Sequence, residues 1–165
     1  MPRPSLTKDE ALTILEESPR RIAAATAGVA PARLRGARIL GVWTAVDILA
    51  HLRACADARG DVIPEILAGD RRILRAVNPR TLIEQTDYRQ LDFATSFRAF
   101  AHQRARLVKM LKALPRSAWS RSAVFTGFGT PRARSVLFYA VWVARHELAH
   151  VRHIERFAEN VKDTR

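Results

Sequence analysis

The chain has 165 residues, a formal net charge of +12 and a single cysteine, Cys55. This length suits one hydrophobic core and predicts a single domain over residues 1–165. One cysteine excludes an internal disulfide and a cysteine-rich zinc module, and it is typical of a reducing compartment.

Neither a membrane span nor a secretory signal is expected. The most apolar run, residues 135–144, is shorter than the roughly 18 residues that a spanning helix needs. Charged residues at Lys8, Asp9 and Glu10 precede any apolar segment, unlike the start of a signal peptide. We therefore expect a cytoplasmic protein with no membrane partner.

The positive charge makes nucleic acid a partner to consider. The arginines, however, are spread from Arg3 to Arg165 and do not form one tract. This distribution favours a solvated basic surface over a dedicated nucleic-acid face.

The first helix has a clear start. Thr7 followed by Glu10 is a capping-box pattern, in which each side chain satisfies the other residue's backbone N–H. Ser18 before Pro19 resembles a second helix start, so we predict a break or bend there, with a helix restarting at Pro19. Residues 28–42 are predicted to be a connection.

The second and third helices follow the same logic. Thr44 with Asp47 predicts a cap for a helix reaching about Arg59, and residues 62–67 are predicted to extend it. Residues 70–88 are predicted to be a loop with a short helix at most. Residues 92–114 repeat apolar side chains every three or four positions, which indicates an amphipathic helix.

The last helix is predicted to start at Thr130 and Pro131, after a loop over residues 116–130, and to reach about Glu159. Four long helices without an alternating strand pattern indicate an all-α four-helix bundle. The long connections indicate at least one crossover.

Residues 146–150 read His-Glu-Leu-Ala-His. His146 and His150 lie four residues apart on the apolar face of the last helix, close enough to bind one metal ion. A lone buried histidine is most often a hydrogen-bonded core residue, but this spacing favours a metal. His153 lies on the flank of the same face.

The same five residues match the zincin motif, in which the glutamate is a general base. We do not favour a protease, because the downstream ligands of zincins and metzincins are missing and no sheet is predicted before the helix. Glu147, about 100 degrees around the helix from His146, remains a candidate catalytic group of little weight.

His51 is the better third ligand. It lies on the second helix, whose apolar face should also point into the bundle, and bundles build metal sites from facing helices. Three imidazoles with an open position describe a catalytic type of site. Asp47 and Cys55 share the face of His51, but Asp47 is interpreted as a helix cap and Cys55 as a small core residue.

The segment Trp43-Thr-Ala-Val-Asp-Ile-Leu-Ala-His51, followed at a distance by His146-x-x-x-His150, resembles the DinB/YfiT family of four-helix-bundle metalloenzymes. The resemblance covers roughly residues 18–157. It implies a bundle of down-up-up-down type, often a homodimer. It also implies a divalent metal, zinc or nickel, bound by His51, His146 and His150.

Characterised relatives act as thiol S-transferases that use a low-molecular-weight thiol, as thiol-dependent isomerases or as hydrolases. The resemblance therefore implies a metal-bound thiol or water acting as the nucleophile on a small-molecule substrate. The alternative is a non-enzymatic basic bundle that binds nucleic acid or acidic partners. A third hypothesis is a bundle whose histidines are a relic and hold no ion.

Overall fold

A computed structural model describes residues 6–36, 42–60, 62–69, 72–76, 78–127 and 129–163. The elements, in chain order, are α1 (Lys8–Thr26), α2 (Pro31–Arg35), α3 (Ala45–Gly60), α4 (Val62–Ala68), β1 (Ile73–Arg75), α5 (Pro79–Glu84), α6 (Phe93–Lys112), a 3-10 helix (Arg116–Ser120), β2 (Ser122–Thr126), β3 (Arg132–Ser135) and α7 (Val136–Asp163).

The four long helices α1, α3, α6 and α7 form the bundle. Helices α1 and α3 each pack against both α6 and α7, so they lie diagonally opposite each other. Arg21 of α1 donates a hydrogen bond to Glu155 of α7, and four residues later in α1 the carbonyl of Ala25 accepts one from Lys162. Residue numbers therefore increase in the same direction along both helices. These two helices are therefore parallel, as the down-up-up-down arrangement requires.

Side-chain capping fixes where three of these helices begin. Thr7 and Glu10 form the predicted capping box of α1. Thr44 and Asp47 make the same reciprocal bonds at α3, and Asp92 accepts from the backbone of Thr95 at α6. These local signals were predicted correctly because each depends on neighbours only three residues away.

The break predicted at Pro19 is wrong. Helix α1 continues through Pro19, while the hydroxyl of Ser18 donates to the carbonyl of Ile14 in the preceding turn. Proline removes one backbone hydrogen bond of the helix, and the packing of α1 along α6 and α7 holds the remaining turns in place.

The loops predicted around residues 70–88 and 116–130 contain strands. Strand β2 pairs with β1 in parallel and with β3 in antiparallel fashion. The prediction that the last helix starts at Thr130 is also wrong, since Arg132–Ser135 is β3 and α7 begins at Val136. This small sheet supplements the four-helix bundle.

The described apolar core has two large parts, besides a small cluster of Ala50, Ala54 and Ile83. One contains side chains of the first half of α1, the last half of α6 and the start of α7, together with α4 and the sheet. The other contains the end of α1, α3, the start of α6 and the end of α7. Between them, at the middle of the bundle, lie the buried polar residues Ser18, Arg104 and Glu147, here called the polar layer.

Among the described helices, none combines the length and apolar character needed to cross a bilayer. The predicted cytoplasmic location and single domain remain predictions.

Candidate metal centre

Helices α3 and α7 bring two pairs of metal-ligating side chains together beside the polar layer. His51 and Cys55 are four residues apart on α3, and His146 and His150 are four residues apart on α7. The helices run in opposite directions here, because Trp43 contacts His150 while His51 contacts His146. Each pair therefore presents one face of its helix to the other.

The three predicted ligands converge. The Nε2 atoms of His51 and His146 are 3.2 Å apart. The ring centroid of His150 lies 4.8 Å from that of His51 and 4.6 Å from that of His146. All three rings are partly buried, so the structure places His51, His146 and His150 in one cluster.

Cys55 joins this cluster. Its Sγ lies 3.5 Å from His51 Nε2, and one ligand atom from each of His51, Cys55 and His146 lies within 4.8 Å of the others. The interpretation of Cys55 as a core residue accounts for its burial, with 7% of its surface exposed, but not for its neighbours. This group has the residue types and the proximity of a metal site.

The distances fit a small divalent ion. With Zn–N of about 2.0–2.1 Å and Zn–S of about 2.3 Å, a tetrahedral ion separates two nitrogens by about 3.3–3.4 Å and a nitrogen from a sulfur by about 3.6 Å. The observed 3.2 Å and 3.5 Å are close to both values. Two separations in this group therefore match the ligand shell of an ion, while the group as a whole extends to 4.8 Å.

Two tryptophans enclose the imidazoles. Trp142 stacks on His146 with ring centroids 5.0 Å apart, and Trp43 stacks on His150 at 6.0 Å. Trp43 also meets His51 edge to face at 5.1 Å. These flat neighbours restrict ring rotation, so the histidine nitrogens are held in a narrow range of directions.

Burial favours the neutral imidazole that a metal needs. It lowers the pKa of His150, and the nearby His153 lowers that pKa further. Asp47 bonds the backbone and hydroxyl of Thr44, as expected for a helix cap. His102 is exposed on α6.

Glu147 has different partners from its neighbour His146. It is 1% exposed and forms an ion pair with Arg104, and the Ser18 side chain lies close to it. Burial raises the pKa of Glu147, while Arg104 and Ser18 oppose that shift. Its role as a catalytic group remains a prediction.

A cavity of about 810 Å³ lies between α3, α4, α6 and α7. Cys55 and His146 line it on one side, and Arg104 and Glu147 also reach it. Much of the remaining wall is apolar, formed by Leu52, Ile63, Leu107, Met110, Trp142 and Val143. The metal-ligating cluster therefore faces a space large enough for a small organic molecule.

Sequence reasoning missed Trp142 and Arg104. Trp142 precedes His146 by four positions, which could have placed it in the same stripe. Cys55 was interpreted as a core residue on the face of His51, and the structure places it both in the core and beside His51 and His146. Arg104 gave no signal, because an arginine in an amphipathic helix normally faces solvent.

The model of the DinB superfamily matches residues 14–154. The chain belongs to the DinB superfamily. Its fold is also similar to a solved structure, YfiT from Bacillus subtilis, a probable metal-dependent hydrolase with an unusual four-helix bundle topology. The two share 20% sequence identity and a TM-score of 0.78, over 97% of this chain and 92% of that one. Among curated proteins, none matches this DinB chain.

Proposed function

We propose that this DinB-superfamily protein is an enzyme that depends on a divalent metal held by His51, His146 and His150. The observation that carries the proposal is the convergence of these three imidazoles, from two antiparallel helices, beside the cavity. The resemblance to YfiT, a probable metal-dependent hydrolase, supports the same class.

A divalent ion at this position would supply one kind of chemistry. It lowers the pKa of a bound water or thiol, so that a nucleophile forms at neutral pH. Hydrolysis and thiol S-transfer both use such a nucleophile, and we propose one of these as the reaction. Zinc suits the site best, because it accepts tetrahedral nitrogen and sulfur ligands without a geometric preference of its own.

The chain's own residues would bind and orient the substrate. The apolar wall of the cavity can hold an organic group and exclude water from it. Arg106 and Lys109 also line the cavity and are exposed on α6, so they can meet an acidic group from the solvent side. We therefore propose a small substrate, or thiol co-substrate, with an apolar part and a carboxylate.

Metal analysis of the purified protein tests the metal. We expect about one equivalent of a divalent ion per chain, lost in His51→Ala and in His146→Ala. His102→Ala removes an exposed histidine outside the cluster and is the matched control, so it should retain the ion. A native protein without metal that also fails to bind added zinc would overturn the proposal.

Activity assays test the substrate class. We expect the zinc-loaded protein to convert esters, amides or thiol acceptors that carry a carboxylate faster than their neutral analogues. The double variant Arg106→Gln/Lys109→Gln should raise KM for the acidic compounds and leave the neutral ones unchanged. Equal loss for both sets would show that these residues do not recognise an acidic group.

A further inference from the structure

Cys55 lies close enough to His51 and His146 to bind the same metal ion. Packing in the core alone does not require this position. The Cys55 Sγ and the His146 Nε2 both lie close to Nε2 of His51, at 3.5 Å and 3.2 Å. Both separations are close to the edges of a tetrahedral ion's ligand shell, which are about 3.6 Å for sulfur to nitrogen and 3.3–3.4 Å for nitrogen to nitrogen.

We infer that Cys55 is a fourth protein ligand, so that the ion is held by His51, Cys55, His146 and His150. The inference rests on the proposed function and deepens it. On metal binding the Cys55 thiol loses its proton to solvent and its sulfur forms the bond to the ion. The three imidazoles bind through neutral ring nitrogens, and the waters that the free ion carries leave to the solvent.

The position of the thiol gives it a role toward the substrate. Cys55 and His146 both line the cavity, together with Leu52 and Ala56 of the same face of α3. The sulfur therefore faces the same cavity as His146. Zinc can expand from four to five ligands during a reaction, so a water or substrate would add to the ion from the cavity side, next to Cys55.

A thiolate in the ligand set also narrows the choice of metal. Three imidazoles alone suit zinc, nickel, copper or iron. A thiolate beside imidazoles suits zinc or copper better than nickel, because nickel favours square-planar nitrogen and oxygen sites. The structure thus favours zinc over nickel.

Cobalt spectroscopy tests the inference directly. Co²⁺ is added to the metal-free protein, and we expect a sulfur-to-cobalt charge-transfer band in the near ultraviolet with intense tetrahedral bands in the visible. Cys55→Ser should still bind one equivalent of Co²⁺ through the histidines, without the charge-transfer band and with an affinity reduced by at least the roughly 10–100-fold that the loss of a hydrogen-bond partner of a ligand costs. Cys55→Ala, checked by circular dichroism for folding, should behave in the same way.

Alkylation gives a second measurement, because Cys55 is the single thiol of the chain. We expect zinc to slow the modification of Cys55 by iodoacetamide and a chelator to restore it, with His102→Ala behaving like the wild type. Cobalt binding without a charge-transfer band would overturn the role of Cys55 and leave the three-histidine enzyme standing. Failure to bind cobalt or zinc at all would overturn both.

Discussion

His146 and Glu147 are adjacent on α7, yet they belong to two clusters that balance charge in different ways. Glu147 faces Arg104 across the bundle, and both side chains are almost fully buried, with 1% and 5% of their surfaces exposed. Their charges neutralise each other. His146 faces His51 and Cys55. These three side chains form a group of metal-ligating atoms.

This difference separates a structural pair from a binding site. In a buried ion pair, the mutual attraction of the two charges offsets part of a high desolvation cost. Imidazoles and a thiol that converge on one point can bind a cation, since each group offers a lone pair toward that point. We therefore propose a structural role for the Arg104–Glu147 pair and metal binding for the histidine cluster.

The largest effect is expected from breaking the buried pair. Arg104→Met keeps the length of the side chain and leaves the Glu147 carboxylate without its cation in the core. The free energy of unfolding should fall by about 3–5 kcal/mol, the usual loss when one partner of a buried pair is removed. Urea denaturation measures it.

A partly exposed ion pair provides the matched control. Arg21 and Glu155 are 2.8 Å apart, with 35% and 28% of their side chains exposed, so Arg21→Met should cost roughly 0–1 kcal/mol. The double variant Arg104→Met/Glu147→Leu should recover most of the loss, because no charge is then left buried. If Arg104→Met cost no more than Arg21→Met, the structural role of the pair would be wrong.

Zinc binding at the histidine cluster should stabilise the folded protein, independently of the ion pairs. At a free zinc concentration 100 times its Kd, the folded wild type should gain about 2.7 kcal/mol, seen as a rise in Tm that a chelator reverses. His51→Ala should show no such gain. Arg21→Met, which is remote from the cluster, should keep the full gain, and a zinc-independent Tm in the wild type would contradict the assignment.

The sequence predicts the histidine cluster better than it predicts the Arg104–Glu147 pair. His146 and His150 share a helix face by local spacing, and the DinB resemblance predicted that His51 joins them, as the ring contacts show. Their role as metal ligands stays a prediction. Glu147 was correctly set apart from His146 by the geometry of one helix. Its pairing with Arg104 joins residues of α6 and α7, which only the tertiary packing determines.

The fold shows the same limit. The helix starts at Thr7, Thr44 and Asp92 were predictable, because caps act within one turn. Strand β1 has three residues, too few for an alternating pattern, and its conformation depends on pairing with β2. Residues 132–135 follow Thr130 and Pro131, a pair that resembles a helix start, yet pairing with β2 makes them a strand.

A smaller effect is expected from loosening the helix that carries His51 and Cys55. Thr44 is 3% exposed and bonds the backbone N–H of Asp47, so Thr44→Ala should cost about 1 kcal/mol of stability. It should also weaken zinc binding slightly, because the first turn of α3 frays. Asp92→Ala loosens the start of α6 instead, and isothermal titration should find its zinc affinity unchanged.

The smallest effect on stability is expected from Trp142→Phe, which should nevertheless change an optical signal. Trp142 stacks on His146, so zinc binding should alter its fluorescence in the wild type. Trp142→Phe should reduce that response to the part that comes from Trp43, which contacts His51 and His150, while zinc still binds in one equivalent. Trp119 is buried in the other part of the core, with Lys8 over its ring, and Trp119→Phe should keep the response. Of these two tryptophans, only Trp142 contacts a proposed ligand. A fluorescence response that is lost in Trp119→Phe and kept in Trp142→Phe would therefore place the ion outside the histidine cluster.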